Sequence, residues 1–357
     1  MAEIKIFAGS SGKVFAEKIC SYLGVVPGKS KVITFTEGNT YVKIEETVRE
    51  KEVYLVQSIG LFPNSEFTEI LFWLDAFKRA SASRVTLIMP YFSYAKGDKK
   101  DEPRVSIRGR VCAECIELAG ADRIVAMDLH SPQVQGFFKK PVDHLFALPI
   151  IGEYIKTLDI DNQVIVSPDS GFAKEARKYG KYLNLPVAIA DKERMGHDEK
   201  AKIIDVIGEV EGKNAIIVDD FSISGGTLID LAHNLQARGV NRIFACLSHT
   251  LLNHAAVKKL EESPIELLIT TDSVNNPYIK NSAKIKILSV APLFAETIAR
   301  IDRRESVSPL FEQVPRKVLN SMLITSENPE EKDRKSSQST AGKMLFNIRK
   351  IVKKRRG

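Results

Sequence analysis

The chain has little cysteine, one tryptophan and no long apolar run. Four cysteines in 357 residues do not make a disulfide scaffold. Cys112 and Cys115 form a Cys-x-x-Cys pair, but no second ligand pair stands at a spacing that would complete a zinc site. The two are expected on neighbouring positions of one helix. No uninterrupted apolar stretch reaches bilayer-spanning length. The opening Met1-Ala2-Glu3-Ile4-Lys5-Ile6-Phe7 enters a strand-like pattern at once, without the basic segment and apolar stretch of a secretory signal. The cytoplasm is therefore the expected compartment.

The body also lacks an excess of charge. The net charge is +7, but from Arg316 onward twelve Lys/Arg stand against four Asp/Glu, so that stretch alone carries +8 and the remainder −1. A nearly neutral body gives no support for nucleic-acid binding. The tail is different. Ser326–Thr340 is polar and charged and reads as disordered. Gly342–Arg356 then puts Met344, Leu345, Ile348, Ile351 and Val352 on one helical face among basic residues, a pattern that can meet an anionic membrane surface or nucleic acid.

What the chain does have is a succession of strand-like runs with helical segments between them. Glu52–Ser58, Arg84–Pro90, Arg123–Asp128, Gln163–Pro168, Pro186–Asp191, Asn214–Asp219, Arg242–Ser248 and Glu266–Thr271 are the clearest. Several are almost wholly apolar, which implies parallel sheets covered on both faces. Phe67–Ala82 and Gly226–Gly239 have helical periodicity, and Phe294–Asp302 reads as a final helix. The pattern divides near residues 145–150. The expected architecture is α/β: two tandem doubly wound parallel-sheet domains over 1–147 and 148–315, with a basic tail over 316–357, partly disordered and with an amphipathic helix.

The segment Ile216-Ile217-Val218-Asp219-Asp220-Phe221-Ser222-Ile223-Ser224-Gly225-Gly226-Thr227 carries the strongest chemical signal. An apolar strand ends on two acids, and Ser-Gly-Gly-Thr then opens a helix. The glycines let backbone approach a phosphate closely, and the helix N-terminus offers unpaired N–H groups and a positive dipole end. Ser224 and Thr227 add hydroxyls. Asp219 and Asp220 can accept hydrogen bonds from vicinal ribose hydroxyls.

This segment resembles the phosphoribosyl-binding signature of type I phosphoribosyltransferases. Asp128-Leu129-His130-Ser131, Gln135-Gly136-Phe137-Phe138, Pro90-Tyr91-Phe92-Ser93-Tyr94-Ala95, Ser167-Pro168-Asp169-Ser170-Gly171, Asp191-Lys192-Glu193-Arg194 and Glu305-Ser306-Val307-Ser308-Pro309-Leu310-Phe311 narrow the likeness. From about Ile4 to Phe311 the chain resembles the ribose-phosphate pyrophosphokinase family. That resemblance implies two phosphoribosyltransferase-like domains with the active site at their junction, Mg²⁺ as cofactor, and ATP and ribose 5-phosphate as substrates. Asp219 and Asp220 would hold the ribose hydroxyls, and Ser224, Gly225, Gly226 and Thr227 the 5-phosphate. His130 and Asp169 would organise Mg²⁺ and the nucleotide's phosphates. Phe35, Glu37, Asn39, Lys96 and Asp98 would form the ATP site, with Phe35 stacking on adenine across a subunit interface of a homo-oligomer, dimer-based and up to a hexamer. Lys192 and Arg194, with His130, would be the catalytic residues, the two cations closing over the site on a flexible loop.

The chain also departs from the pattern. Family members usually carry Arg-Gln-Asp where Lys96-Gly97-Asp98 stands, and Asp-Gly-Glu where Glu37-Gly38-Asn39 stands. Lysine keeps the charge of arginine but lacks its planar fork. Ile223 replaces a frequent acid, and Phe172 a frequent glycine, where it could crowd the diphosphate-binding backbone. These changes motivate a second reading, a non-catalytic or weakly active homologue that assembles with an active synthetase.

Overall fold

The structure is a computed structural model that describes residues 4–194 and 201–325. Its first half contains β1 (Lys5–Ala8), α1 (Lys13–Leu23), the hairpin β2 (Ser30–Thr34) and β3 (Thr40–Ile44), β4 (Glu52–Val56), α2 (Pro63–Arg79), β5 (Arg84–Met89), α3 (Arg108–Ala119), β6 (Arg123–Met127) and β7 (Val142–Leu145). Strands β1, β4, β5, β6 and β7 form one wholly parallel sheet in that order.

The second half contains α4 (Leu148–Lys156), β8 (Gln163–Ser167), α5 (Ala173–Leu183), β9 (Val187–Arg194), β10 (Ala201–Ile207), β11 (Asn214–Ser222), α6 (Gly226–Ala237), β12 (Arg242–Thr250), α7 (His254–Glu262), β13 (Ile265–Thr271), β14 (Ile285–Leu288), α8 (Ala291–Asp302), α9 (Pro309–Glu312) and α10 (Arg316–Thr325). Its seven-stranded sheet has the order β10-β9-β8-β11-β12-β13-β14 and is parallel except for the edge pair β9–β10. The expected α/β class with parallel sheets is thus the one observed.

Side-chain alternation explains how the sheets share a core. On β11, Ile216 and Val218 point to one face, and Ala215 and Ile217 to the other. The first face joins Ile6, Val125 and Met127 of the other sheet in a single apolar cluster, with Phe15 of α1 edge-on to Phe294 of α8 at 5.4 Å. The outer faces are covered separately, one by Trp73 and Phe77 of α2 with Ile116 of α3, the other by Leu231 and Leu235 of α6. Lys18 of α1 reaches Asp272 beyond β13 at 2.6 Å and seals one edge of the shared layer.

Cys112 and Cys115 lie on α3, one turn apart, and both are free thiols. The final helix is not the one expected. Helix α8 is followed by α9 and α10, and α10 packs on α8 with Val318 fully buried. Val318 and Leu319, grouped by composition with the tail, thus pack against the shared core. The segments 326–340 and 342–356 lie outside the described residues. Among the described residues no helix is long and apolar enough to cross a membrane.

Candidate active site

The polar ties between the two halves gather where the C-terminal strand ends of the two sheets meet. In parallel α/β sheets this is the side on which ligands bind. Ser58, just after β4, donates to the Ser273 carbonyl beyond β13 at 2.7 Å. Ser248 Oγ on β12 donates to Asp128 Oδ2 beyond β6 at 2.5 Å, and the Ala147 N–H donates to the same oxygen at 3.0 Å. Asp128 adopts φ 39°, a left-handed conformation that aspartate tolerates better than most residues. Burial pushes its carboxyl up to about 6. His249 is fully buried; its Nε2 donates to the Met127 carbonyl at 3.1 Å, and its ring lies 4.6 Å from that of Tyr91.

His130 follows two residues later. Its Nδ1 lies 2.6 Å from Asp220 Oδ2, which joins the turn after β6 to the end of β11. That hydrogen bond raises the imidazole pKa, against the opposing effect of burial. The second Asp220 oxygen accepts the Phe221 N–H at 2.9 Å. Asp219 Oδ1 accepts the Asp220 N–H at 2.9 Å. Its carboxyl is pushed well above the carboxylate range, first by burial and then by the charges of Asp220 and Asp169. Asp169 follows β8, the neighbour of β11, and its Oδ1 accepts the Phe172 N–H at 3.0 Å.

Lys96 enters from the other half. Its Nζ lies 4.1 Å from the centroid of the Phe221 ring and 5.9 Å from that of Tyr91, and Phe221 is edge-on to His130 at 5.4 Å. Burial lowers the ammonium pKa, and the Asp220 carboxylate works against that shift. The charge of Asp98 also reaches His130. Strand ends from both sheets thus bring His130, Asp169, Asp219, Asp220, Lys96 and Asp98 to one junction.

Beside it the chain passes from β11 into α6 through Ser224-Gly225. Gly225 adopts φ 71°, a conformation that favours glycine. Its N–H donates to Ser222 Oγ at 3.2 Å, and no side chain caps the helix. The Gly226 N–H makes a long contact to Ser224 Oγ at 3.4 Å, and the next N–H groups of the first turn remain available to an anion. Ser224 and Thr227 are exposed at this end.

With that geometry in hand, likeness to known proteins is decisive. Residues 4–120 match the family model described as the N-terminal domain of ribose phosphate pyrophosphokinase, and residues 194–312 match the phosphoribosyl synthetase-associated domain. The ribose-phosphate pyrophosphokinase of Caldanaerobacter subterraneus subsp. tengcongensis is 43% identical over 309 residues, covering 86% of this chain and 98% of the relative. That of Aquifex aeolicus is 41% identical over 312 residues, covering 87% and 100%. The chain belongs to the ribose-phosphate pyrophosphokinase family. The crystal structure of the phosphoribosylpyrophosphate synthetase from Mycobacterium smegmatis superposes with a TM-score of 0.79 at 34% identity, covering 84% of this chain and 99% of that one. Relatives named for the enzyme and matched over nearly their whole length do not favour the reading of this pyrophosphokinase homologue as non-catalytic.

Two groups of expected site residues lie apart from the junction or differ in setting. Phe35, Glu37 and Asn39 sit at the tip of the β2–β3 hairpin, where the Phe35 N–H donates to the Asn39 carbonyl at 2.8 Å. The Phe35 ring is 44% exposed and meets Tyr41 at 6.5 Å. An exposed aromatic with only internal contacts is available for stacking but does not complete a pocket on its own. Lys192 and Arg194, expected on a loop, have strand backbone: they pair with Ile203 and Ala201 across the edge hairpin β9–β10. Residues 195–200, beyond them, lie outside the described residues. The ring of Phe172 packs against the shared core while its backbone serves Asp169.

Sequence reasoning missed three participants. Phe221 was hidden between Asp220 and the phosphate loop, yet its ring separates Lys96 from His130. His249 and Tyr91 end apolar strands, and the available signal was a polar or aromatic residue placed where a parallel strand stops.

Proposed function

We propose that this family member transfers the diphosphate group of Mg·ATP to the C1 hydroxyl of ribose 5-phosphate, giving 5-phosphoribosyl 1-diphosphate and AMP. The observation that carries this reading is the 2.6 Å contact between His130 and Asp220, which ties the nucleotide side of the junction to the phosphosugar side. Asp219 and Asp220 receive the ribose hydroxyls, and the turn from Ser224 through Thr227 cradles the 5-phosphate at the N-terminus of α6. The acidic carboxyls stand at the ribose end and the unpaired N–H groups at the phosphate end, as the charges of the sugar phosphate require.

Among the described residues no cluster of three or more His, Cys, Asp or Glu side chains could hold a metal ion by itself. His130 and Asp169 offer one imidazole and one carboxylate. The Asp169 carboxylate suits Mg²⁺, which retains waters and substrate phosphate oxygens as its remaining ligands, and His130 would add a single nitrogen contact beside it. Bound there, magnesium neutralises phosphate charge and fixes phosphate geometry. Asp220 positions His130, and Lys96 and Asp98 border the nucleotide.

The C1 oxygen attacks the β-phosphorus, the bond from that phosphorus to the α–β bridging oxygen breaks, and AMP leaves in line with that oxygen while the hydroxyl proton is released. Such displacement needs positioning and charge neutralisation more than covalent catalysis. Lys192 and Arg194 stabilise charge on the bridging oxygen and the transferred group. The compartment proposed for this work is the cytoplasm. The domains are read as 1–147 and 148–315, each supplying one side of the junction.

Purified protein with Mg·ATP and ribose 5-phosphate is expected to form AMP and phosphoribosyl diphosphate in equal amounts, followed by chromatography. Asp220→Asn, which weakens the hold on His130 and a ribose contact together, is expected to lower kcat/KM by about 100-fold or more. Undiminished turnover in that variant would remove the reading. The exposed Phe35 further supports a homo-oligomer in which the hairpin tip completes the adenine site of a second copy. Light scattering is expected to return a dimer or larger, and Phe35→Ala to raise the KM for ATP. A monomer with full activity would exclude this.

A further inference from the structure

The departure at Lys96-Gly97 has a structural counterpart at the start of α3. A Cβ at Gly97 would fall 2.9 Å from Arg108 Nε, 3.0 Å from Arg108 Cβ and 3.4 Å from Arg108 N. The Arg108 side chain therefore lies across the face of Gly97, in space that a longer residue would claim. The two segments are pinned by the Gly109 N–H, which donates to the Gly97 carbonyl at 3.0 Å.

Arg108 is exposed, and among the described residues it has no carboxylate partner. Its charge is felt by Lys96, whose ammonium it disfavours. Lys96 itself rests on the Phe221 ring at 4.1 Å rather than in an ion pair. Arg108 is also the first residue of α3, and neither an acidic side chain in the first turn nor a side-chain cap offsets the positive end of that helix. Two neighbouring cations and a helix N-terminus repel one another unless an anion sits among them. Arginine further supplies the planar, bidentate fork that lysine at position 96 lacks.

We propose that Arg108 is a nucleotide-binding residue of this enzyme, acting with Lys96 to grip the phosphate chain of ATP from the space that Gly97 leaves open. This rests on the reading of the junction as the ATP site. The guanidinium is thus supplied by the start of α3 rather than by the turn that follows β5.

The test uses the full chain and the Mg²⁺ complex of α,β-methylene ATP, which cannot undergo the transfer, with calorimetry for binding and steady-state assays with ATP. Arg108→Ala is expected to weaken analogue binding and raise the KM for ATP by about 10- to 100-fold, the scale of a charge-assisted hydrogen bond. It should leave kcat and the KM for ribose 5-phosphate within about threefold on the same scale. The dependence of analogue affinity on salt should become shallower, and Arg108→Lys should recover part of the loss. Gly97→Gln, which displaces the arginine without removing it, should also raise the KM for ATP. Unchanged analogue affinity in Arg108→Ala, beside an active wild type, would overturn the proposal and leave the functional reading intact. So would equal losses for ATP and ribose 5-phosphate. A wild type that binds neither the analogue nor ribose 5-phosphate would overturn both.

Discussion

Replacing Lys192 with alanine is expected to lower kcat by about 100- to 1,000-fold, the usual cost of removing one preorganised group that stabilises transition-state charge. Binding of Mg·ATP and ribose 5-phosphate should stay within about threefold, because a group that acts mainly in the transition state contributes little to ground-state affinity. The setting of Lys192 supports a selective effect. It lies on β9, the neighbour of the edge strand β10, two residues from Arg194. The part of β9 that packs into the core is Val187 to Ala190, and Lys192 lies beyond it, so the substitution should leave the thermal midpoint nearly unchanged. Steady-state kinetics with calorimetric binding separates these effects. A variant with full kcat, or one whose loss lies entirely in KM, would show that Lys192 has no such role.

Acidification is expected to separate the wild type from a variant that lacks a buried histidine. His144 and His249 are buried, and burial pushes both imidazoles down to about 4. His144 Nε2 accepts the Leu129 N–H at 2.9 Å, and a protonated ring cannot accept it. The unfolded chain takes up these protons near pH 6.5, whereas the folded chain resists until about pH 4. The stability from each neutral ring is thus fully present above about pH 6.5 and is lost as pH falls toward 4. Each ring should account for roughly 3 kcal/mol of that loss. Asp128, raised to about 6, works in the opposite direction over nearly the same range, and so do Asp219 and His130, whose folded-state values are also raised. Urea unfolding at pH 7.5 and 4.5 is expected to show His144→Gln losing less stability on acidification than the wild type, by roughly 2 kcal/mol. An equal change in both proteins would refute the assignment.

The parallel sheets were legible because buried strands leave continuous apolar runs, and all eight runs singled out in the sequence are strands here. The short strands β2, β3, β7 and β14 were not visible, since four or five residues, most of them half-exposed, give no distinctive period, and β10 was not singled out either. The phosphate loop could be read because its chemistry is contiguous from Asp219 to Thr227. The contact from His130 to Asp220 spans ninety positions and depends on how two sheets pack, so no local pattern contains it. Arg108 was invisible for the same reason: its relation to Gly97 exists only once α3 returns to the turn that follows β5.

The layer formed by Phe15, Phe294 and their neighbours has a mechanical consequence. Jaws that swing open about a hinge must wet the surfaces they part. Here such a swing would expose the interior of both sheets and break the struts from Ser58, Lys18 and Ser248. The scaffold beneath the substrates is therefore a fixed anvil, and any cover over the reacting phosphates has to come from the rim.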